Sequence, residues 1–210
     1  MKKAKGVVEE GAVQGVVRLV PTQKRSRERF EKILATAGEL LLEKGAEGFR
    51  MSELVQRSGV PFGSLYQYFP DRTAVLGTLA ERYNAEGRAC IAKELATVRK
   101  PSDLPSALAR ITDGFYRMYQ DYPVMQAIWQ ATQADPVLQR LDAQECSHLA
   151  EMLAQAQSDG PVDARTLTHA GLTITLIGAA VRHAITLPAD EADIVLADFN
   201  RLIESQPLSQ

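Results

Sequence analysis

Side chains able to hydrogen-bond an extended polyanion cluster between residues 52 and 72. They are Ser52, Ser64, Tyr66, Gln67, Tyr68 and Arg72. Tyrosine hydroxyls and guanidinium groups suit phosphate oxygens, while serine and glutamine can also hydrogen-bond base edges. These residue types predict contact with nucleic acid.

Two short helices must position these side chains. The pattern predicts one helix over residues 52–58 and another over 61–68, separated by Gly59. Because neither helix could persist alone in water, neighbouring elements must lock them together. Inner residues of a helix-turn-helix are expected at Leu54, Val55, Val60 and Leu65, with the permissive backbone of Gly59 at the turn. The outer face of the second helix is then left for Phe62, Gly63, Ser64, Tyr66, Gln67 and Tyr68.

The rest of the chain predicts about nine helices in total and no strand, because apolar residues recur at helical spacing. Residues 1–23 lack helix caps and are expected to form a flexible N-terminal arm. Its lysines could reach a minor groove, but we favour solvated disorder. The predicted domains are then a helix-turn-helix domain over 24–72 and a helical domain over 73–210.

The run from Gly45 to Leu76 resembles the DNA-binding domain of the TetR family. It carries the signature Gly-Val-x-x-Gly-x-Leu-Tyr-x-Tyr-Phe at residues 59–69. The resemblance is strong over about residues 27–76 and covers the remainder in architecture only. It implies an all-α protein with an N-terminal three-helix helix-turn-helix domain and a C-terminal helical ligand-binding and dimerisation domain.

The resemblance also implies roles for single residues. Phe62, Gly63 and Ser64 match positions that approach bases, and Tyr66, Tyr68 and Arg72 match positions that pack against or contact the DNA backbone. The chain departs from the family at Arg50, where a hydroxyl residue is usual. We expect Ser52 to cap the first short helix instead, and Arg50 to add a phosphate contact.

Bulky residues close together in the C-terminal part are the predicted effector contacts. They are Tyr116, Tyr119, Met125, Ile128 and Trp129. Flat aromatic rings and adaptable methionine suit an apolar or aromatic small molecule, although each such residue is more often simple packing.

The last two predicted helices, about 163–187 and 189–204, carry small and branched residues along one side. Small residues let helices approach closely, and an apolar face at the end of the chain needs a partner. The resemblance implies a four-helix bundle between two copies. The expected homodimer contacts are Ile174, Ile177, Gly178, Val181, Val195, Phe199 and Leu202.

The distribution of charge indicates which partner the chain binds, and the lengths of its uncharged stretches argue against a membrane protein. Residues 1–72 hold 13 Lys/Arg against 9 Asp/Glu, whereas residues 73–210 hold 11 against 17. The excess of positive charge in residues 1–72 would orient this part of the chain toward a polyanion. The longest stretch without Asp, Glu, Lys or Arg, Thr166–Val181, is shorter than the roughly 20 residues that span a membrane. We expect a cytoplasmic protein with no membrane contact, no cofactor and no metal.

The function predicted from these features is a repressor that binds double-stranded operator DNA as a dimer and is released by a small, mainly apolar effector. Two alternatives stay open. One is a helical scaffold module whose helix-turn-helix does not use DNA. The other is a helical metal enzyme, to which the Glu145-x-x-His148 spacing points, although the second copy that such a site needs is missing.

Overall fold

The computed structural model describes residues 6–10, 17–21, 23–158 and 160–205. These residues form nine α-helices, so the all-α fold expected from the sequence is confirmed. The helices are α1 (Lys24–Gly48), α2 (Met51–Ser58), α3 (Phe62–Tyr68), α4 (Arg72–Leu95), α5 (Leu104–Asp121), α6 (Val124–Ala134), α7 (Pro136–Gln157), α8 (Ala164–Ala184) and α9 (Ala189–Ser205). A single 3₁₀ turn, Pro101–Asp103, precedes α5.

A two-stranded hairpin precedes the helices. Strand β1 (Gly6–Glu10) pairs antiparallel with β2 (Val17–Pro21), and the backbone of β2 lies against α1 and α3. The expectation that residues 1–23 contain no strand is therefore wrong for these ten residues. Their valine-rich runs suit a pleated strand, but five residues are too short to show a clear alternation. Gln23 is the N-cap residue of α1, and the other residues of the predicted arm lie outside the described residues.

Helix termini follow the local signals closely. Asp71 accepts a hydrogen bond from the Ala74 N–H at 2.7 Å, and Asp163 accepts one from the Thr166 N–H at 2.7 Å. Both are N-cap contacts that satisfy helix donors. Helix α1 kinks at Gly45, with φ 66° and ψ −178°, and continues to Gly48. Glycine tolerates this positive φ because it has no Cβ.

Contacts divide the chain into two compact units. Unit 1 comprises Met1–Tyr83 and Pro123–Asp142, and unit 2 comprises Asn84–Tyr122 and Ala143–Gln210. Unit 1 therefore holds the hairpin, α1, α2, α3, the start of α4, all of α6 and the start of α7. Although α6 lies far from the helix-turn-helix in sequence, the two belong to one unit.

Each unit has its own apolar core. In unit 1 one face of α1 is buried, and it packs with the inner residues of α2, α3, α4 and α6. In unit 2 the core comes from the second half of α4 together with α5, α7, α8 and α9, with Leu108, Leu153 and Ala170 fully or almost fully buried. No helix in the described parts of the chain is both long and apolar enough to cross a membrane.

Candidate nucleic-acid interface

The turn between α2 and α3 depends on a left-handed glycine. Gly59 has φ 63° and ψ 14°, and its N–H donates to the Val55 carbonyl at 3.2 Å. This contact closes the C-terminus of α2 and turns the chain toward α3. A side chain at this position would be strained, because L residues other than glycine rarely adopt positive φ.

Helix α3 has only seven residues and is held by the core of unit 1. Leu54 and Leu65 are fully buried and Val60 is nearly so, as the helix-turn-helix pattern predicts. Phe49 and Phe69 flank the motif and are also buried, and the Phe69 ring stacks on Phe30 with centroids 5.0 Å apart. The orientation of α3 is therefore set by apolar packing on its inner side.

The outer side of α3 keeps most of the predicted nucleic-acid contacts accessible. Phe62, Gly63 and Gln67 are exposed, and Ser64 and Tyr66 are half-buried. The aromatic rings of Phe62 and Tyr66 lie against each other, with centroids 4.4 Å apart. Side chains at i and i+4 of a helix share a face, so this aromatic pair lies on the same side of α3.

Tyr68 does not lie on the outer face, so that prediction is wrong. Its side chain is 3% exposed, and its ring meets Phe30 edge-on, with centroids 5.9 Å apart. The cause is helical spacing, because Tyr68 follows the buried Leu65 by three residues and so turns toward the same side. Tyr68 therefore belongs to the core that positions α3.

The start of α2 also departs from expectation. Arg50 occupies the N-cap position without a side-chain cap, and Ser52 is exposed within the helix, so Ser52 does not cap it. The Arg50 guanidinium donates to the backbone carbonyls of Glu47 and Phe49. Arg50 is nevertheless exposed, so its predicted phosphate contact stays a prediction.

An ion-pair network joins α1 to α2 and was not anticipated from the sequence. Arg57 bonds both Glu43 and Glu53, and Lys44 donates to the two Glu53 oxygens at 2.7 and 2.8 Å. Hydrogen bonds from Arg57 lower the pKa of Glu43, and hydrogen bonds from Lys44 and then Arg57 lower that of Glu53. Lys44 and Arg57 are thus paired within the protein. In the sequence, only the four-residue spacing of Glu53 and Arg57 indicated such an ion pair.

A second polar contact joins the N-terminus of α4 to the junction of α6 and α7. The Thr73 hydroxyl donates to Asp135 Oδ2 at 2.7 Å, and Asp135 Oδ1 accepts from the Val137 N–H at 2.8 Å. Partial burial raises the pKa of Asp135, but these hydrogen bonds and the charge of Arg72 outweigh it, so the pKa lies below its usual value. Arg72 is half-buried at the start of α4, and it belongs to unit 1 together with Asp135.

The predicted effector residues fall into both units. Tyr116 is half-buried and Tyr119 buried on α5 of unit 2, where the Phe115 and Tyr119 rings meet edge-on at 5.3 Å. Met125, Ile128 and Trp129 lie on α6 of unit 1. Ile128 is also buried in the core of that unit, together with residues of α1. All five effector contacts stay predictions.

The predicted dimer residues of α8 lie on the side of the helix that packs within the chain. Ile174, Ile177, Gly178 and Val181 are buried within the single chain, so they cannot be offered to a second copy. Val195 and Phe199 of α9 are half-buried, and Leu202 is exposed. Small and branched residues indicated close helix packing correctly, but this packing is within unit 2.

A different set of apolar residues on α8 and α9 faces outward. Leu172 is 57% exposed and Leu176 47% exposed, and they lie four residues apart on one face of α8. Ile194 and Leu202 are the large exposed apolar residues of α9. We call Leu172, Leu176, Ile194 and Leu202 the outer apolar face. Helical periodicity could have found it, since α8 carries apolar residues on two sides.

The Glu145-x-x-His148 spacing, which suggested a metal enzyme, contains a residue that takes part in an ion pair. Glu145 forms an ion pair with Arg88, which joins α7 to α4 within unit 2. Among the residues that the structure describes, no three His, Cys, Asp or Glu side chains form a group that could hold a metal ion. The described residues therefore do not supply the group of ligands that the metal-enzyme alternative needs.

Comparison with known proteins bears on both parts of the chain. Residues 33–79 match the family model "Bacterial regulatory proteins, tetR family". Residues 102–209 match the model "Tetracyclin repressor-like, C-terminal domain". The second match alone covers about half of the chain, and together the two include α3 and the outer apolar face.

Single relatives match in a short region. A 55-residue region is 40% identical to the HTH-type transcriptional repressor NemR of Escherichia coli K12, covering 26% of this chain and 28% of NemR. A 58-residue region is 34% identical to the uncharacterized HTH-type transcriptional regulator YvdT of Bacillus subtilis, covering 28% and 30%. The matched region thus spans less than a third of the length of these curated relatives.

Solved structures extend the likeness of fold to most of the chain. A TetR-family transcriptional regulator from Pectobacterium atrosepticum superposes with a TM-score of 0.64 at 20% identity, over 87% of this chain and 94% of that one. The reduced form of E. coli NemR gives a TM-score of 0.59 at 20% identity, over 83% and 96%. At this identity the likeness concerns the fold alone.

Proposed function

Because this chain belongs to the TetR family of bacterial transcriptional regulators, we propose that it is a repressor that binds a palindromic operator as a homodimer and releases it when a small, mainly apolar effector binds. The observation that carries the proposal is the arrangement of α3. Its inner side is locked by Leu65 and Tyr68, while its outer side leaves Phe62, Gly63 and Gln67 accessible. Such a helix fits the major groove, which is roughly 12 Å wide.

The proposed DNA contacts combine backbone and base recognition. Arg72 stands at the start of α4, where its charge and the helix N-terminus would both favour a phosphate. Gln67 and Ser64 offer amide and hydroxyl groups for base edges, and Arg50 offers a further exposed cation. A regulator that contacts the chromosome in this way would act in the bacterial cytoplasm.

The outer apolar face supports the dimer proposal. Leucine and isoleucine side chains that are about half exposed in one chain would be removed from water by a second copy of α8 and α9. The two α3 helices of such a dimer must reach successive major grooves, about 34–36 Å apart. Affinity then depends on both copies binding at once.

We propose Tyr116 and Tyr119 as effector contacts within unit 2, and retain Met125, Ile128 and Trp129 of α6 as candidates in unit 1. The aromatic character of α5 supports an apolar or aromatic molecule rather than a phosphorylated one. Release requires only that the effector bind the state with low DNA affinity more tightly than the other state. The proposed activity is regulatory and not enzymatic.

Arg72→Ala tests the DNA proposal through its dependence on salt. Neutralising one phosphate contact should weaken binding to all duplexes alike and reduce the slope of log K against log salt by about one unit. Fluorescence anisotropy with a labelled duplex, over a range of salt concentrations, measures both quantities. Arg117→Ala is the matched control, because Arg117 is an exposed arginine on α5 of unit 2.

The Arg117→Ala protein should keep the slope of the unmodified protein. An unchanged slope for Arg72→Ala would remove Arg72 from the interface. A protein that binds no duplex at any salt concentration would contradict the repressor proposal, and would favour a helical scaffold module instead.

Thr73→Val tests the polar link between α4 and the α6–α7 junction. Valine keeps the shape of threonine but removes the hydroxyl that donates to Asp135, so the free energy of unfolding of unit 1 should fall by about 1 kcal/mol. Thr78→Val is the control on the same helix, because the Thr78 hydroxyl donates to the Ala74 carbonyl within α4. Equal losses for the two variants would show that the link contributes nothing particular.

The same variant has a predicted pH dependence. The folded pKa of Asp135 lies below its unfolded value, so its stabilising contribution is complete above the unfolded pKa and is lost as pH falls through the folded pKa. Removing the Thr73 donor raises the folded pKa toward the unfolded value. Acid unfolding of Thr73→Val, followed by tryptophan fluorescence, should therefore begin at a higher pH than that of Thr78→Val.

A further inference from the structure

An exposed aromatic side chain begins the outer side of α3. Phe62 is 63% exposed, a larger fraction than for any other large hydrophobic side chain in the described part of the chain. Single exposed apolar residues are common on protein surfaces and by themselves indicate nothing. Phe62 differs because it lies on the side of α3 that the fold leaves open for DNA, and because its ring is held in place.

Tyr66 holds the Phe62 ring. The two rings have centroids 4.4 Å apart and planes inclined by 32°, and Tyr66 is half-buried with its other contacts in the core of unit 1. An aromatic pair of this kind contributes beyond simple burial of area. Phe62 is therefore a positioned ring and not a freely rotating side chain.

The neighbouring position on α3 adds no side chain. A Cβ added to Gly63 would meet no described atom within 4 Å outside its two chain neighbours and the helix's own backbone, so Phe62 is the large side chain at this end of the outer side of α3. The ring itself has no hydrogen-bond donor for a phosphate or a base edge. Its partner on DNA must therefore be an apolar group that a major-groove helix can reach.

The major groove of DNA offers one such group, the C5-methyl of thymine. We propose that Phe62 packs against a thymine methyl in each operator half-site and so specifies a T·A pair at that position. This inference rests on the proposed function, because it requires α3 to enter the major groove. Phe62 is then a specificity-determining residue, whereas Gln67 and Ser64 would read polar base edges.

Replacement of thymine by uracil tests the contact, because uracil lacks only the methyl group. The probe is the tightest-binding duplex recovered by the unmodified protein from a randomised DNA library. Each dT is replaced by dU in turn, and affinity is measured by anisotropy. At one symmetric position affinity should fall about fourfold for one half-site and about fifteenfold for both, since a buried methyl-sized group contributes about 0.8 kcal/mol.

Phe62→Ala completes the test. The variant should bind the thymine duplex more weakly than the unmodified protein and should bind the thymine and uracil duplexes equally. Its thermal unfolding should shift only slightly, because Phe62 is exposed and outside the core of unit 1 and loses only its ring contact with Tyr66. Gln67→Ala is the control at another exposed position of α3, and it should keep the sensitivity to uracil.

The outcomes separate this inference from the function on which it rests. If the unmodified protein binds a duplex tightly but no uracil replacement weakens it, Phe62 does not read a methyl group and the inference is overturned. The same conclusion follows if Phe62→Ala keeps the full sensitivity to uracil. If no duplex is recovered at all, the proposed function fails and this inference fails with it.

Discussion

Leu176→Arg is expected to convert the protein into a monomer and to lower operator affinity by about a hundredfold or more. Leu172 and Leu176 project from one face of α8, and a guanidinium group placed there would have to be buried without a partner when two copies associate. A monomer has only one α3, so it loses the effective concentration that joins two half-sites. Light scattering measures the mass, and anisotropy measures the affinity.

Leu167→Arg is the matched control for this experiment. Leu167 is also a partly exposed leucine on α8, but nine residues before Leu176, which is half a turn away at about 100° per residue. The control should remain dimeric and bind the operator normally. If Leu176→Arg stays dimeric, or if Leu167→Arg alone dissociates, the outer apolar face is not the interface.

Leu65→Ala should lower the free energy of unfolding of unit 1 by about 2–5 kcal/mol. Leu65 is fully buried between α3 and the rest of the unit, and truncation to alanine would leave a cavity that the surroundings only partly fill. The loss should also abolish tight DNA binding, because α3 is too short to keep its place without this contact. Denaturant unfolding measures the change.

The chain provides its own probe for this measurement. Trp129, the single tryptophan of the sequence, lies on α6 in unit 1, so its emission reports on the unit that contains Leu65. Leu42→Ala is the control, since Leu42 of α1 is 52% exposed and its truncation should change stability by no more than about 0.5 kcal/mol. Similar losses for both variants would contradict the role of Leu65 in locking α3.

Local signals in the sequence were sufficient for the helix-turn-helix. The buried positions of Leu54, Val60 and Leu65 follow from apolar spacing, and the left-handed turn follows from Gly59. Each depends on neighbours within a few residues. The same reasoning misplaced Tyr68, because a tyrosine at the edge of an apolar stripe can turn its ring inward as readily as outward.

Contacts between distant segments could not be predicted in this way. The hydrogen bond from Thr73 to Asp135 joins residues 62 positions apart, and no local pattern records it. Ile128 is buried in one core cluster with residues of α1, which its neighbours in sequence did not indicate. The sequence identifies a side chain as apolar, but only the fold decides which surface covers it.

The wrong prediction of the dimer face on α8 has the same cause. Periodicity identified Ile174, Ile177 and Val181 as one face and implied that a partner must cover it. The covering residues come instead from the same chain, and Leu172 and Leu176 on another side of the helix face outward. A helix with two apolar sides does not reveal from sequence which side packs internally and which is offered to a second copy.

Selection from a randomised duplex library with the full chain tests the central proposal most directly. A dimeric repressor should enrich an inverted repeat whose half-site centres are about one helical turn, 10–10.5 base pairs, or a multiple of it apart, bound by two chains. Enrichment of no sequence, or of an asymmetric site bound by a single chain, would contradict recognition of a palindromic operator by paired α3 helices.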